Sequence, residues 1–151
     1  MKVIIQDLPK KQWEELAQNS GIQERDIVIG EGMDWNWDKE IIGTCAKFIV
    51  ISRCVYGGFS PFIQSIFEQS QGYIGTFLEL RRGQTQFEVM NKNKDTFEMV
   101  CCFYGDFIRI KEEQLARLQA VSDGISLQAR EVRIVFCSSI NQIRQLEGVL
   151  R

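Results

Sequence analysis

Two hydrophobic rhythms alternate along this chain. Val3-Ile4-Ile5 is a short continuous apolar run of the kind a buried strand carries, and Asp7-Leu8-Pro9 supplies a cap and a first-turn proline. Trp13, Leu16 and Ala17 recur at helical spacing until Asn19-Ser20-Gly21 stops the helix. Ile27-Val28-Ile29-Gly30 predicts a second strand. Phe48-Ile49-Val50-Ile51-Ser52, apolar throughout, predicts a central strand covered on both faces. Ser60 and Pro61 then read as N-cap and first residue of a helix, with Phe59, Phe62, Ile63, Ile66 and Phe67 forming one stripe.

Glu31–Asp38 reads as a loop carrying Trp35 and Trp37, which suit either a ligand lid or an edge pinned by aromatics, and Lys39–Ala46 allows about two helical turns. Residues 73–96 break the alternation. Two runs, Tyr73–Leu80 and Gln84–Met90, meet at Arg81-Arg82-Gly83 and predict a hairpin outside the main sheet. Its Ile74, Phe77, Leu78 and Leu80 make it the candidate contact of a homodimer. Phe97–Tyr104 is a further strand, and a helix over about 111–127 is expected to turn Leu115, Leu118, Val121 and Ile125 inward. Val132–Cys137 is the last strand, before a terminal helix capped by Ser138/Ser139 with Ile140, Ile143 and Leu146 inward. Five main strands alternating with helices imply an α/β three-layer sandwich around an open parallel sheet.

Composition narrows the chemistry. With 151 residues, 44% apolar and only 2 Pro, the chain suffices for a single domain over 1–151 that buries ~70% of its unfolded surface without staples. The net charge of −2 and scattered bases argue against a nucleic-acid surface. The amino-terminal apolar stretch is too short for a signal peptide, and no apolar run approaches the ~20 residues of a membrane span, so a cytoplasmic protein is expected. Five cysteines without Cys-x-x-Cys spacing fit reduced thiols, and adjacent Cys101 and Cys102 fit buried small hydrophobes on opposite strand faces. Most decisive is the absence of histidine, which removes Ser-His and Cys-His nucleophile activation and His-ligated metals. No catalytic side chain and no metal site are assigned, because acidic pairs such as Asp34/Asp38 lack supporting context. Any chemistry falls to a bound cofactor, with the chain supplying pocket and orientation.

In doubly wound sheets ligands lie at the strands' carboxyl ends, here loops 6–11, 52–60 and 104–109. Gly57-Gly58 lets backbone approach a flat ligand on which Tyr56 or Phe59 can stack; the same residues equally suit a tight strand-to-helix turn with the aromatics in the core. The stretch FIVISRCVYGGFSPFIQSIF (Phe48–Phe67) resembles the third strand, flavin loop and following helix of the flavodoxin-like NAD(P)H-dependent FMN reductases, and the likeness runs on through YIGTFLELRRGQ (Tyr73–Gln84) and FEMVCCFYGD (Phe97–Asp106). The resemblance implies a flavodoxin-like sheet of order 2-1-3-4-5, non-covalent FMN, a homodimer, and hydride transfer from a nicotinamide through the flavin to a small acceptor. Carried over by motif, Arg53, Cys54, Val55, Tyr56, Gly57, Gly58 and Phe59 contact the isoalloxazine, with the Gly57 and Gly58 amides on its pyrimidine side and Tyr104 and Gly105 flanking it.

The chain departs from that family where the phosphate is held. The family's first loop is rich in Gly, Ser and Thr; here it is Gln6-Asp7-Leu8-Pro9-Lys10-Lys11, which has no hydroxyl and leaves Lys10, Lys11 and the helix dipole as the phosphate contacts. The loop over the ligand at 30–46 is shortened, and Gln84–Asn93 lacks the histidines of some relatives. Two functions stay open: an FMN-binding oxidoreductase, and a flavodoxin-like scaffold that has lost its cofactor and serves as a binding or assembly module.

Overall fold

The computed structural model describes residues 1–32, 44–69, 74–81, 84–89 and 97–151. Trp35, Trp37, Asp34/Asp38, most of Lys39–Ala46, the Arg82-Gly83 turn and residues 90–96 lie outside the described residues. In chain order the elements are β1 (Lys2–Gln6), α1 (Lys10–Gln18), β2 (Ile27–Gly30), β3 (Lys47–Arg53), α2 (Pro61–Gln69), β4 (Ile74–Arg81), β5 (Gln84–Val89), β6 (Glu98–Tyr104), α3 (Ile110–Ser126), β7 (Glu131–Cys137), a 3-10 helix (Ile140–Leu146) and α4 (Glu147–Leu150).

Five strands form a parallel sheet in the order β2-β1-β3-β6-β7, the expected 2-1-3-4-5 of the main strands. β4 and β5 pair with each other, antiparallel, as a separate two-stranded ribbon. Because strand side chains alternate, each apolar run feeds two cores. Val3, Ile5, Phe48, Val50, Cys101 and Phe103 face α2 and α3, while Ile4, Ile49, Ile51, Val100 and Cys102 face α1, the 3-10 helix and α4. Cys101 and Cys102 thus lie on opposite faces as expected, and burial pushes the Cys102 thiol up to about 12.

A row of aromatic rings crosses the first of these cores. Phe59 stacks on Phe67 and on Phe103, both at 5.0 Å, Phe103 stacks on Phe136 at 5.5 Å, and the Arg117 guanidinium closes the row 4.9 Å from the Phe136 ring.

Helix α3 differs from the sequence expectation. Its buried positions are Ala116, Ala120 and Gly124, while Leu115, Leu118 and Val121 are exposed. The physical reason is distance: a Cβ on Gly124 would lie 2.2 Å from Val132 Cγ2, so the helix sits too close to the sheet for leucines to be underneath. Three caps also differ. Asp7 does not cap α1, whose N-cap is Pro9 with no side-chain hydrogen bond. The Ser60 hydroxyl, expected to cap α2, has no hydrogen-bond partner among the described residues, although its carbonyl accepts the Gln64 N–H. Beyond Ser138/Ser139 the chain forms the 3-10 helix before α4, with Ile143 and Leu146 buried as expected.

Gly124→Ala is expected to lower stability by ~1–3 kcal/mol, since Val132 or the helix must shift, whereas Gly148→Ala, with open space around it, should stay within ~0.5 kcal/mol. Chemical denaturation of both variants checks this. A second expectation concerns Asp123 on α3, one of whose carboxylate oxygens is buried without a hydrogen-bond partner among the described residues; desolvation raises its pKa from 3.8 to about 6. The folded state therefore binds this proton more tightly than the unfolded chain. Stability should fall by ~1–3 kcal/mol as pH rises from about 4 to about 6 and stay low above that. Asp123→Asn should flatten that part of the pH–stability curve.

Candidate functional site

Gln6 pairs with Ile51, so β1 and β3 end side by side, and the chain then leaves β1 for α1 on one face and β3 for α2 on the other. Divergence of this kind opens a crevice at the carboxyl edge of a doubly wound sheet. Backbone donors in the loops around that edge, once past the sheet, need partners of their own.

Residues 7–9 offer none outward. The Asp7 N–H donates to the Ile51 carbonyl at 3.1 Å, the Leu8 N–H donates to Gln6 Oε1 at 2.8 Å, and Pro9 has no N–H. The Asp7 carboxylate turns toward β3 and accepts the Arg53 N–H through both oxygens, at 3.1 and 3.0 Å. The Tyr104 hydroxyl donates to the Asp7 carbonyl at 3.3 Å; burial, reinforced by the Asp7 carboxylate, pushes that phenol's pKa well up, so it stays a neutral donor. Lys10 and Lys11 are exposed, and the Lys10 ammonium lies 3.9 Å from Glu14.

Residues 54–60 spend most of their donors within the protein as well. Val55 and Gly58 exchange both backbone hydrogen bonds, and Tyr56 (φ 50) with Gly57 (φ 77) makes the two-residue tip, the left-handed pair of a type I′ turn. The Cys54 N–H donates to the Tyr104 carbonyl at 2.9 Å, the Phe59 N–H to Gln119 Oε1 at 3.3 Å, and the Ser60 N–H to Ser52 Oγ at 2.9 Å. Burial pushes the Cys54 thiol up, away from reactive thiolate character. The two glycines are where they are because of α3: a Cβ on Gly57 would lie 2.8 Å from Leu115 Cβ, and one on Gly58 2.6 Å from Gln119 Oε1. Of the two amides expected on a ligand, Gly58's is committed to Val55.

The aromatics separate cleanly. Phe59 is buried in the ring stack, which removes it as a stacking surface for a ligand. Tyr56 is 93% exposed. Across the edge, Tyr104 is buried and Gly105 donates its N–H to the Cys137 carbonyl, while Phe107, which no sequence signal singled out, is 94% exposed with φ 60. A bulky side chain in left-handed conformation is strained, and two such residues, both exposed aromatics, stand on the loops that leave the adjacent strands β3 and β6. Phe107 and Ile108 also wall a cleft of about 400 Å³, and Leu8, Trp13 and Glu31 a second of about 460 Å³ beside α1. Ser52 and Gln119, which hold the turn, were likewise invisible to sequence reasoning, since their partners are eight and sixty residues away. Among the described residues no group of acidic or cysteine side chains is arranged to hold a metal. No described helix is long and apolar enough to cross a membrane.

These features define a flavodoxin-like α/β fold, and comparison with known proteins agrees. No family model and no curated protein matches the sequence. Among solved structures, general stress protein 14 of Treponema denticola in complex with FMN superposes with a TM-score of 0.61 at 10% identity, covering 99% of this chain and 94% of that one. The Trp repressor binding protein of Bacillus subtilis gives 0.59 at 10% identity, covering 99% and 95%. NAD(P)H:quinone oxidoreductase from Methanothermobacter marburgensis gives 0.58 at 11% identity, covering 100% and 99%. At this identity the likeness is one of fold.

An FMN molecule fits this edge unevenly. Exposed aromatic faces suit its ring, but the donor set of residues 7–9 does not suit its phosphate. Relief of backbone strain gives a direct check on the aromatics: Tyr56→Gly and Phe107→Gly are each expected to leave stability unchanged or raise it by up to ~1 kcal/mol, read as a melting-temperature increase.

Proposed function

We propose that this protein is a flavin-binding oxidoreductase domain of the NAD(P)H-dependent FMN reductase type, with the ring held at the carboxyl edge between the loop Arg53–Phe59 and the loop that begins at Tyr104 and Gly105. The observation that carries this reading is the pair Tyr56 and Phe107, two exposed aromatic side chains kept at strained backbone angles on adjacent loops. Isolated exposed aromatics need no explanation, but strain at two of them on one ligand edge does. Complexation of FMN by a neighbour of the same fold makes the isoalloxazine the natural flat ring to test. A bound flavin would supply hydride transfer from a nicotinamide. The chain's part is to bind and orient the ring and to exclude water, consistent with a sequence that has no histidine. A homodimer through the β4–β5 ribbon belongs to the same proposal, supported by Ile74, Phe77, Leu78 and Leu80 in its sequence.

A second reading, a cofactor-free binding or assembly scaffold, is favoured by one specific observation. Gly57 and Gly58 pack on α3, and the amides of Cys54, Val55, Gly58, Phe59 and Ser60 are bonded within the protein, so the turn holds its shape without a ligand.

Titration with FMN and with riboflavin, followed by flavin fluorescence and melting temperature together, separates the two readings. Saturable binding of either flavin, weakened at least tenfold in Tyr56→Gly or Phe107→Gly while those variants stay folded, is the expected result. No binding of either flavin at high micromolar concentration would leave the scaffold reading standing alone.

A further inference from the structure

We infer that this site selects flavins lacking the 5′-phosphate: riboflavin, or another flavin with an uncharged side chain, is preferred over FMN. The inference rests on the flavin reading above and deepens it. In this fold FMN occupies the crevice between β1 and β3, and a phosphate in doubly wound folds sits at the N-terminus of the first helix, held by amides of the preceding loop and of the helix's first turn. Here every residue between β1 and α1 has its donor spent or missing. Asp7 N–H is on Ile51, Leu8 N–H is on Gln6 Oε1, Pro9 has none, and no side chain in residues 7–9 carries a hydroxyl.

Asp7 adds a charge of the wrong sign. Its carboxylate is fixed at the β1/β3 crossing by the Arg53 N–H, and its carbonyl by the Tyr104 hydroxyl, so it is not free to swing away from an arriving dianion. Gln6 is 4% exposed, and its Oε1 occupies the Leu8 amide, the last amide before Pro9. What opposes the inference is the start of α1, where no side chain among the described residues caps the first-turn N–H groups of Lys10, Lys11 and Gln12 and where Lys10 and Lys11 add positive charge; the loop ahead of it contributes no donor. Both lysines are exposed, and Lys10 lies near Glu14, so their attraction acts through solvent and is screened. A ring without phosphate meets neither the spent donors nor the carboxylate, and it keeps Tyr56 and Phe107.

The test is a pair of titrations of the intact protein, with riboflavin and FMN, at about 0.02 M and about 0.5 M salt. Riboflavin should bind at least tenfold more tightly at low salt, and the gap should narrow at high salt as the Asp7 repulsion is screened. Asp7→Asn keeps an acceptor for the Arg53 N–H while removing the charge, and should improve FMN affinity alone. Should that variant not fold, the salt dependence of the natural protein still decides. FMN binding equal to or tighter than riboflavin, and weakening with salt, would overturn the inference while leaving the flavin reading intact. Absence of binding by both flavins would overturn both.

Discussion

The carboxyl edge of this protein is governed by one constraint: where β1 and β3 end side by side and part toward opposite faces, the backbone N–H groups just beyond them lose their sheet partners and must be satisfied by something else. In a ligand-binding crevice that partner can be the ligand. Here it is the protein. Asp7 takes the Arg53 N–H, Gln6 takes the Leu8 N–H, Ser52 takes the Ser60 N–H, and Gln119 takes the Phe59 N–H. Much of the edge is therefore held by the protein's own side chains before anything binds, and exposed side-chain surface is what these loops offer besides.

That capacity is shaped by how closely α3 approaches. The Ala116, Ala120, Gly124 stripe brings the helix onto the sheet, and Gly57 and Gly58 bring the β3–α2 turn onto the helix. Phe59 is drawn into the ring stack while Tyr56, at the turn tip, is pushed out. The exposed Leu115, Leu118 and Val121 follow from the same packing, because a helix that buries its smallest residues must present larger ones elsewhere. The positive φ of Tyr56 is thus a local cost at a turn that the contact of Gly57 with α3 helps to hold in place.

An edge with closed polar groups and open aromatic faces favours ligands that are flat and weakly charged. The phosphate end of a flavin mononucleotide draws on backbone donors that this chain has spent, whereas the ring end draws on stacking surface that it has kept. Fold likeness to a protein solved in complex with FMN and the spent donors of residues 7–9 are therefore compatible, because the two ends of that ligand depend on different parts of the structure.

How much was legible beforehand follows from the range of each interaction. Val3-Ile4-Ile5, Phe48–Ser52 and Phe97–Tyr104 announced buried parallel strands because continuous apolar runs reflect burial on both faces, a property of each segment alone. The strand order and the ribbon at β4–β5 came from the alternation of segments and from family resemblance, and the unusual residues 7–9 were readable as composition. The inward face of α3 was not legible, since leucine spacing marks an apolar stripe but cannot tell how near the sheet lies. Nor could any local pattern assign Asp7 to the Arg53 N–H, 46 residues away, in place of capping α1, or mark Phe107 as exposed at positive φ. The sequence by itself determined which segments are strands and helices, because periodicity is local. Which donors and rings remain free for a ligand was decided only by tertiary structure, because each pairing needs two segments brought together by the sheet.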